Sequence, residues 1–321
     1  MRRTRRIALA LCAALLAALC ACGCLAEPTF DCRFADADEG RALLLDNEAY
    51  LRGLTQNDLD FRMQKTGATL EEWKTFAAAQ VLDFTDAERD YIAGQLAELA
   101  SLCAGKGYAL PDPGPLTFVK TTMAEECGAA GYTHGTQIYL GQAALDYILN
   151  GGEGGAEYGS ILIAHELFHC LTRNDPGFRA DMYALLGFTV RKEDYAFGPE
   201  VAARIISNPD VEHHDACATF HIGGREVDCV TVFTTSRPFQ QPGDSFFDLM
   251  ETGLVPVDDL DRMYTADEAE DFWRVFGENT GYVVDPEETL ADNFAYALVY
   301  GEERDWESPE IIHGILDYLR K

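Results

Sequence analysis

The residues with the clearest chemical meaning are His165-Glu166-Leu167-Phe168-His169. On a helix from Ile161 to Thr172, His165 and His169 would stand one turn apart on the same face. Two imidazoles at that spacing can grip one divalent ion. Glu166, beside the first of them, can take a proton from water on that ion. This is the chemistry of metal-dependent hydrolysis. Histidine supplies only 7 of 321 residues, so the pairing is a specific signal. Ile161 to Ala164, Leu167, Phe168, Cys170 and Leu171 make the helix apolar nearly all round, which predicts burial. Buried His and Glu are costly unless something pairs them, and a metal would do so. The plainer alternative is a helix whose histidines are satisfied by ordinary hydrogen bonds.

A catalytic zinc takes three protein ligands and a water. The run Asp285 to Phe294 reads as a helix opened by Pro286, with Glu288 and Asp292 four residues apart on one face. Glu288 is the candidate third ligand. Asp292 is the candidate acceptor for the outer N–H of a ligand histidine. Together the two segments resemble the gluzincins, the thermolysin-like zinc metallopeptidases, which pair H-E-x-x-H with a later helix carrying E-x-x-x-D. The resemblance covers these two helices only. It implies a zincin-like fold, a Zn2+ cofactor held by His165, His169 and Glu288, Asp292 behind a ligand ring, and hydrolysis of a peptide or protein substrate with Glu166 as general base. The 119 residues from His169 to Glu288 exceed the spacing in thermolysin-like members. Three other readings stay open. Asp175 lies where metzincins place a third ligand, although Thr172 stands in place of their turn-making glycine. Glu287 is a further acid, about a hundred degrees round the helix from Glu288. Acids in a first helical turn are also favoured by the dipole alone.

Acyl transfer also needs a donor for the developing oxyanion. His213, His214, Tyr183 and Tyr132 have suitable groups; the adjacent histidine pair is alternatively a source of the third metal ligand or a surface loop. By analogy with zincins, the stretch Gly131 to Ile138 is expected to edge the cleft and pair with extended substrate. His134 there is either a substrate contact or a satisfied polar side chain. Two competing functions remain: a catalytically silent zincin fold that binds a partner, and a structural metal protein. A closed site of four protein ligands would mark the latter.

The ends of the chain suggest its location. Arg2, Arg3, Arg5 and Arg6 precede an apolar run from Ile7 to Leu19, the pattern of an export signal over residues 1–21. Leu19-Cys20-Ala21-Cys22 resembles a bacterial lipobox, with Cys22 as the lipidated residue and Cys24 the second choice. The expectation is an exported protein anchored by lipid to the outer face of a bacterial membrane. Without the four signal arginines, 21 basic residues face 54 acidic ones, a net charge of −33. That argues against nucleic acid and against electrostatic docking on anionic lipid. Export permits disulfides. Cys217 and Cys229 flank Gly223-Gly224 in a hairpin pattern. They face each other only if the loop has three residues; a two-residue turn leaves them one register apart.

These groups need elements to position them. Thr69-x-x-Glu72 and Thr85-x-x-Glu88 are capping boxes. The first opens a helix expected to hold Trp73, Phe76 and Val81; the second opens one running to about Cys103. Leu116–Thr121 and Ile138–Leu140 read as strands, residues 216–236 as a hairpin, and the glycines from Gly151 to Gly155 as a flexible lead into the motif helix. Helices are expected near Phe178–Leu186, 285–300 and 308–320. The predicted class is α+β, mostly helical, with a small sheet edging a cleft above the H-E-x-x-H helix. The expected organisation is a signal over 1–21, a tether over 22–40 and one catalytic domain over 41–321, helical over about 41–110.

Overall fold

The computed structural model describes residues 30–321. The signal over 1–21 and the lipidation candidates Cys22 and Cys24 lie outside the described residues. Residues 30–40, read above as the end of a tether, belong to the fold. Cys32–Phe34 is strand β1, and helix α1 (Ala37–Leu45) starts at residue 37, capped by Asp36. Phe34 explains the difference: its ring packs 5.5 Å from Phe118.

The architecture is α+β. Three short helices follow: α2 (Glu48–Gly53), α3 (Gln56–Met63) and α4 (Leu70–Ala78). Both predicted capping boxes form, Thr69 with Glu72 and Thr85 with Glu88, and the second opens α5 (Asp86–Lys106). Helix α4 ends before Val81. That residue belongs to β2 (Val81–Leu82), which pairs antiparallel with β3 (Leu116–Thr121). The first sheet runs β1-β3-β5-β4, with β4 (Gly131–His134) and β5 (Gln137–Gly141) forming its far hairpin. β1 and β5 lie parallel to β3, and β4 runs antiparallel at the edge.

Helix α6 (Gln142–Asn150) leads into the motif helix α7 (Gly152–Asn174). The glycines expected to form a flexible lead are helical instead. Neighbours press on two glycines of this helix: a Cβ on Gly155 would strike the Tyr147 and Ile148 carbonyls, and one on Gly159, further along, would strike the Tyr91 hydroxyl. Asp175 ends α7 and caps α8 (Pro176–Leu185), accepting from the N–H groups of Gly177 and Phe178.

The second sheet is antiparallel, in the order β10-β9-β8-β7-β6: β6 (Thr189–Val190), β7 (Ala216–Ile222), β8 (Arg225–Thr235), β9 (Met250–Pro256) and β10 (Tyr264–Thr265). Gly223 and Gly224, both at positive φ, make a two-residue turn that pairs Ala218 with Cys229. Cys217 therefore sits one register off, on the opposite pleat, and both cysteines are free thiols. Helices α9 (Pro199–Ala202) and α10 (Phe272–Phe276) flank this sheet. The chain closes with α11 (Pro286–Tyr300) and α12 (Pro309–Leu319), at the positions their prolines suggested.

The main core lies where α5, α7, α8, α11 and α12 meet the sheets. Phe168 of α7 packs 5.3 Å from Phe294 of α11 and 5.8 Å from Phe178 of α8. A second core holds the N-terminal helices on the other face of the first sheet, around Trp73, Tyr132 and Tyr139. A buried charge network ties these helices to the rest. Arg62 of α3 pairs with Asp58 at 2.8 Å and Glu126 at 2.6 Å, and its second amino group donates to the Ser207 carbonyl at 2.8 Å.

Two predictions follow from these buried charges. Arg62→Met leaves Asp58 and Glu126 buried without their cation, which should cost about 3–5 kcal/mol in denaturant unfolding; parent-like stability would contradict the network's role. Glu125 is buried with Oε2 unpartnered. Burial pushes its carboxyl from 4.5 up to about 7. The fold therefore binds that proton more tightly than the unfolded chain does, and stability falls as pH rises from 4.5 through 7. Glu125→Gln should gain up to about 3 kcal/mol at pH 8 and nothing at pH 4. Equal gains at both pH values would refute this.

Candidate metal centre

The centre is built where α7 crosses α11. The imidazoles of His165 and His169 stand one turn apart, nearly perpendicular to each other, with ring centroids 4.9 Å apart. Helix α11 starts at Asp285, which accepts the Glu288 N–H at 2.9 Å, with Pro286 in its first turn. That start aims Glu288 at both rings. Its Oε2 lies 3.1 Å from His165 Nε2 and 3.7 Å from His169 Nε2. Donor atoms around a tetrahedral ion of this kind lie roughly 3.3 Å apart. One ligand atom from each of the three residues falls within 4.8 Å of the others, so they can hold one metal ion.

His169 Nε2 supplies an independent test of that fit. The residue is fully buried, yet this nitrogen has no hydrogen-bond partner among the described residues. An orphaned buried nitrogen is costly. A shared cation would satisfy it.

Behind the ligands, each imidazole has its own acid. His165 Nδ1 lies 2.9 Å from Asp292 Oδ1, as the spacing of Glu288 and Asp292 predicted. His169 Nδ1 lies 3.0 Å from Glu287 Oε1. Glu287 is therefore not a competing metal ligand but the second ring's anchor. It is held in turn by Thr172 Oγ1 at 2.6 Å and the Tyr183 hydroxyl at 2.8 Å. Such outer contacts fix the tautomer, leaving Nε2 free for a ligand role. Burial opposes protonation of both rings, but the surrounding acids win. Hydrogen bonds to Asp292 and Glu288 hold His165 well above its ordinary value, and Asp210 and Glu287 lift His169 to about 9. Glu288, which burial would raise, is kept at about 2 by these same rings.

Glu166 lies between the ligands and edge strand β4, with a carboxylate oxygen within 4.8 Å of a His169 ring nitrogen. It is 2% exposed, and its Oε2 has no hydrogen-bond partner among the described residues. Gly131 of β4 permits this approach, since a Cβ there would lie 2.5 Å from Glu166 Oε1. Burial, then the Asp210 carboxylate, raises Glu166 to about 8. A cleft of about 340 Å³ opens over His165, Glu166 and Glu288, walled by Gly131, Tyr158 and Tyr282.

The remaining candidates lie elsewhere. Asp175 is no ligand, because its carboxylate caps α8. Tyr183 braces Glu287 and so is not an oxyanion donor. Tyr132 alternates with Gly131 along β4 and points into the N-terminal core, where its hydroxyl donates to Glu125 at 3.2 Å. His134 shares that face, among the rings of Tyr50 and Tyr132, and burial lowers it to about 3. His213 is exposed beside Asp194, and His214 packs on Phe197. Neither lines the cleft.

Sequence reasoning missed Asn208 and Asp210. Asn208 Nδ2 donates to Glu288 Oε1 at 2.5 Å, and Asp210 Oδ1 stands 4.0 Å from His169 Nε2. The turn-forming Asn208-Pro209-Asp210 was visible, but nothing local ties it to a helix eighty residues on. Tyr158 was legible, two turns before His165 on the same face of α7.

If Glu287 and Asp292 orient the rings, Glu287→Gln and Asp292→Asn should each weaken divalent-metal binding about 10- to 100-fold in competition with a chromophoric chelator. Unchanged affinity in both would refute the orienting role.

Comparison with known proteins adds no relative: no protein-family model matches the chain, no curated protein matches it, and no solved structure matches it.

Proposed function

We propose that this chain is a zincin-like, zinc-dependent peptidase of gluzincin type. The observation that carries the reading is the convergence of His165 Nε2, His169 Nε2 and Glu288 Oε2 beside an unpartnered Glu166 carboxylate. Two nitrogens and one carboxylate oxygen suit zinc, and three protein ligands leave a position open for catalysis. When bound, zinc supplies Lewis-acid polarisation of a carbonyl and makes water more acidic.

The chain's own residues do the rest. Glu166 takes the proton of the attacking water and passes it to the leaving nitrogen. Tyr158 and Tyr282 supply hydroxyls in the cleft that can donate to the developing oxyanion. Asp292 and Glu287 hold the rings, and α7, α11 and Gly131 wall the site from bulk water.

The alternative of a structural metal requires a fourth protein ligand. Asp210, which with Glu166 and His169 forms a second group that could hold an ion, already accepts from the Thr133 N–H at 2.7 Å and the Thr133 hydroxyl at 2.6 Å through Oδ1. That favours an open set of three. A silent binding fold has no reason to keep Glu166 buried and unpartnered at the ligands' side. Export and a lipid anchor at Cys22 belong to the same proposal and rest on the sequence. Among the described residues no helix is long and apolar enough to cross a membrane.

Metal analysis of parent and Glu166→Gln should give about one zinc per chain in each, with peptide hydrolysis at least about 100-fold slower in the variant. Equal rates would remove Glu166 as the base. A parent that binds no zinc would sink the proposal.

A further inference from the structure

The cleft has one open end and one closed end, and the closed end is acidic. Along β4 the backbone groups alternate between β5 and the cleft. The Gly141 N–H donates to the Ala130 carbonyl at 3.0 Å, so residues 130, 132 and 134 face β5 while Gly131 and Thr133 face outward. Gly131 lines the cleft. Thr133 offers an incoming strand nothing, because its N–H is bonded to Asp210 Oδ1 at 2.7 Å. An extended chain laid on this edge can therefore pair at Gly131, but the next position is filled by Asp210.

That stop is built in. Asn208 is bonded to Glu288, and Arg62 holds the Ser207 carbonyl. Arg173 donates to the carbonyls of Pro209 at 3.0 Å and Asp210 at 2.9 Å. Asp210 itself partitions the surface: it lines this cleft and also a separate cavity of about 450 Å³ beyond it. A chain bound at Gly131 must therefore begin or end at Asp210.

Charge decides which terminus sits there. Asp210, Glu166 and Glu288 all border that end of the cleft. Arg173 lines only the far cavity; it comes no closer than 4.0 Å to Asp210 Oδ1 and is engaged there by Glu212 at 2.9 Å and the Thr133 hydroxyl. A terminal carboxylate would meet acids, whereas a terminal ammonium would be paired. An ammonium at Asp210 also sets the bound chain antiparallel to β4, the more stable pairing. Its later residues then run past Gly131 toward Tyr158 and the open end.

We infer that Asp210 binds the free α-ammonium of a peptide, so that the site removes single residues from unblocked N-termini. This rests on the peptidase reading above. The step size follows from how close the two sites lie: Asp210 Oδ1 is only 4.0 Å from His169 Nε2, so with the ammonium on Asp210 the first residue's carbonyl is the one beside the ligands. In the reaction, water adds its oxygen to the first residue's carbonyl carbon and that residue's C–N bond breaks. The released amino acid keeps the oxygen as carboxylate, and the shortened peptide's nitrogen takes the proton from Glu166.

The test uses zinc-loaded Glu166→Gln, which should bind peptide without consuming it. Calorimetry compares a leucyl tripeptide with its N-acetylated form. The free form should bind at least tenfold more tightly, and adding Asp210→Asn should bring the ratio close to one. Equal affinity for the two forms in Glu166→Gln overturns the inference, whether or not the Asp210 variant folds. In the parent, a blocked decapeptide should survive while the free one loses residues stepwise from its first position. Internal fragments from the blocked peptide also overturn it. If the parent cleaves neither while Glu166→Gln still prefers the free amine, the peptidase reading fails and the ammonium site stands.

Discussion

Four carboxylates and two imidazoles share one dry volume between α7 and α11, and the rest of the structure answers to that constraint. Glu166, Asp210, Glu287 and Glu288 are each less than a tenth exposed, as is His169. Isolated charges in such a place would be prohibitive. The fold answers by giving three of the acids partners on other elements, Asp210 through Thr133. Glu287 has Thr172, Tyr183 and His169, while Glu288 has Asn208 and both rings. Among these six groups, one atom on Glu166 and one on His169 have no hydrogen-bond partner among the described residues, and Glu166 lines the cleft.

The surrounding architecture keeps those partners in register. The Phe168–Phe294 contact clamps α7 on α11, so the apolar side of each helix fixes the rotation of its polar side. Edge strand β4 sets the depth of the cleft. Its glycine brings backbone against Glu166, and its alternation turns Tyr132 and His134 into the second core. Both capping and packing therefore act on the same few degrees of freedom, and the ligand geometry follows from them.

How much of this could be read beforehand depended on range. His165, Glu166 and His169 are fixed by the periodicity of one helix, and Glu288 with Asp292 by that of another; spacing within a helix is a local property. The link between the helices was legible only through a resemblance, because 119 residues separate His169 from Glu288. Glu287 was weighed as a rival ligand. Its real partner, His169 Nδ1, is apparent only once the crossing of the helices is known. Tyr132 and Tyr183 were misplaced for a similar reason, since a hydroxyl's chemistry says nothing about which face of a strand or helix carries it. The glycines before the motif were misread because propensity penalises them, while Tyr147 and Tyr91 demand them. The α+β class survived these errors because the capping boxes, prolines and strand runs that define it are short-range signals.

The Arg62 guanidinium gives the first helices a wider meaning. One of its nitrogens donates both to Glu126 and to the Ser207 carbonyl, which lies 145 positions further along the chain than Arg62. Three residues beyond that carbonyl stands the wall of the cleft. The N-terminal lobe thus acts as a keystone: its folding equilibrium and the shape of the distant opening are thermodynamically linked, so loosening one relaxes the other. A partner that clasped the early helices would hold a lever on the pocket without ever entering it.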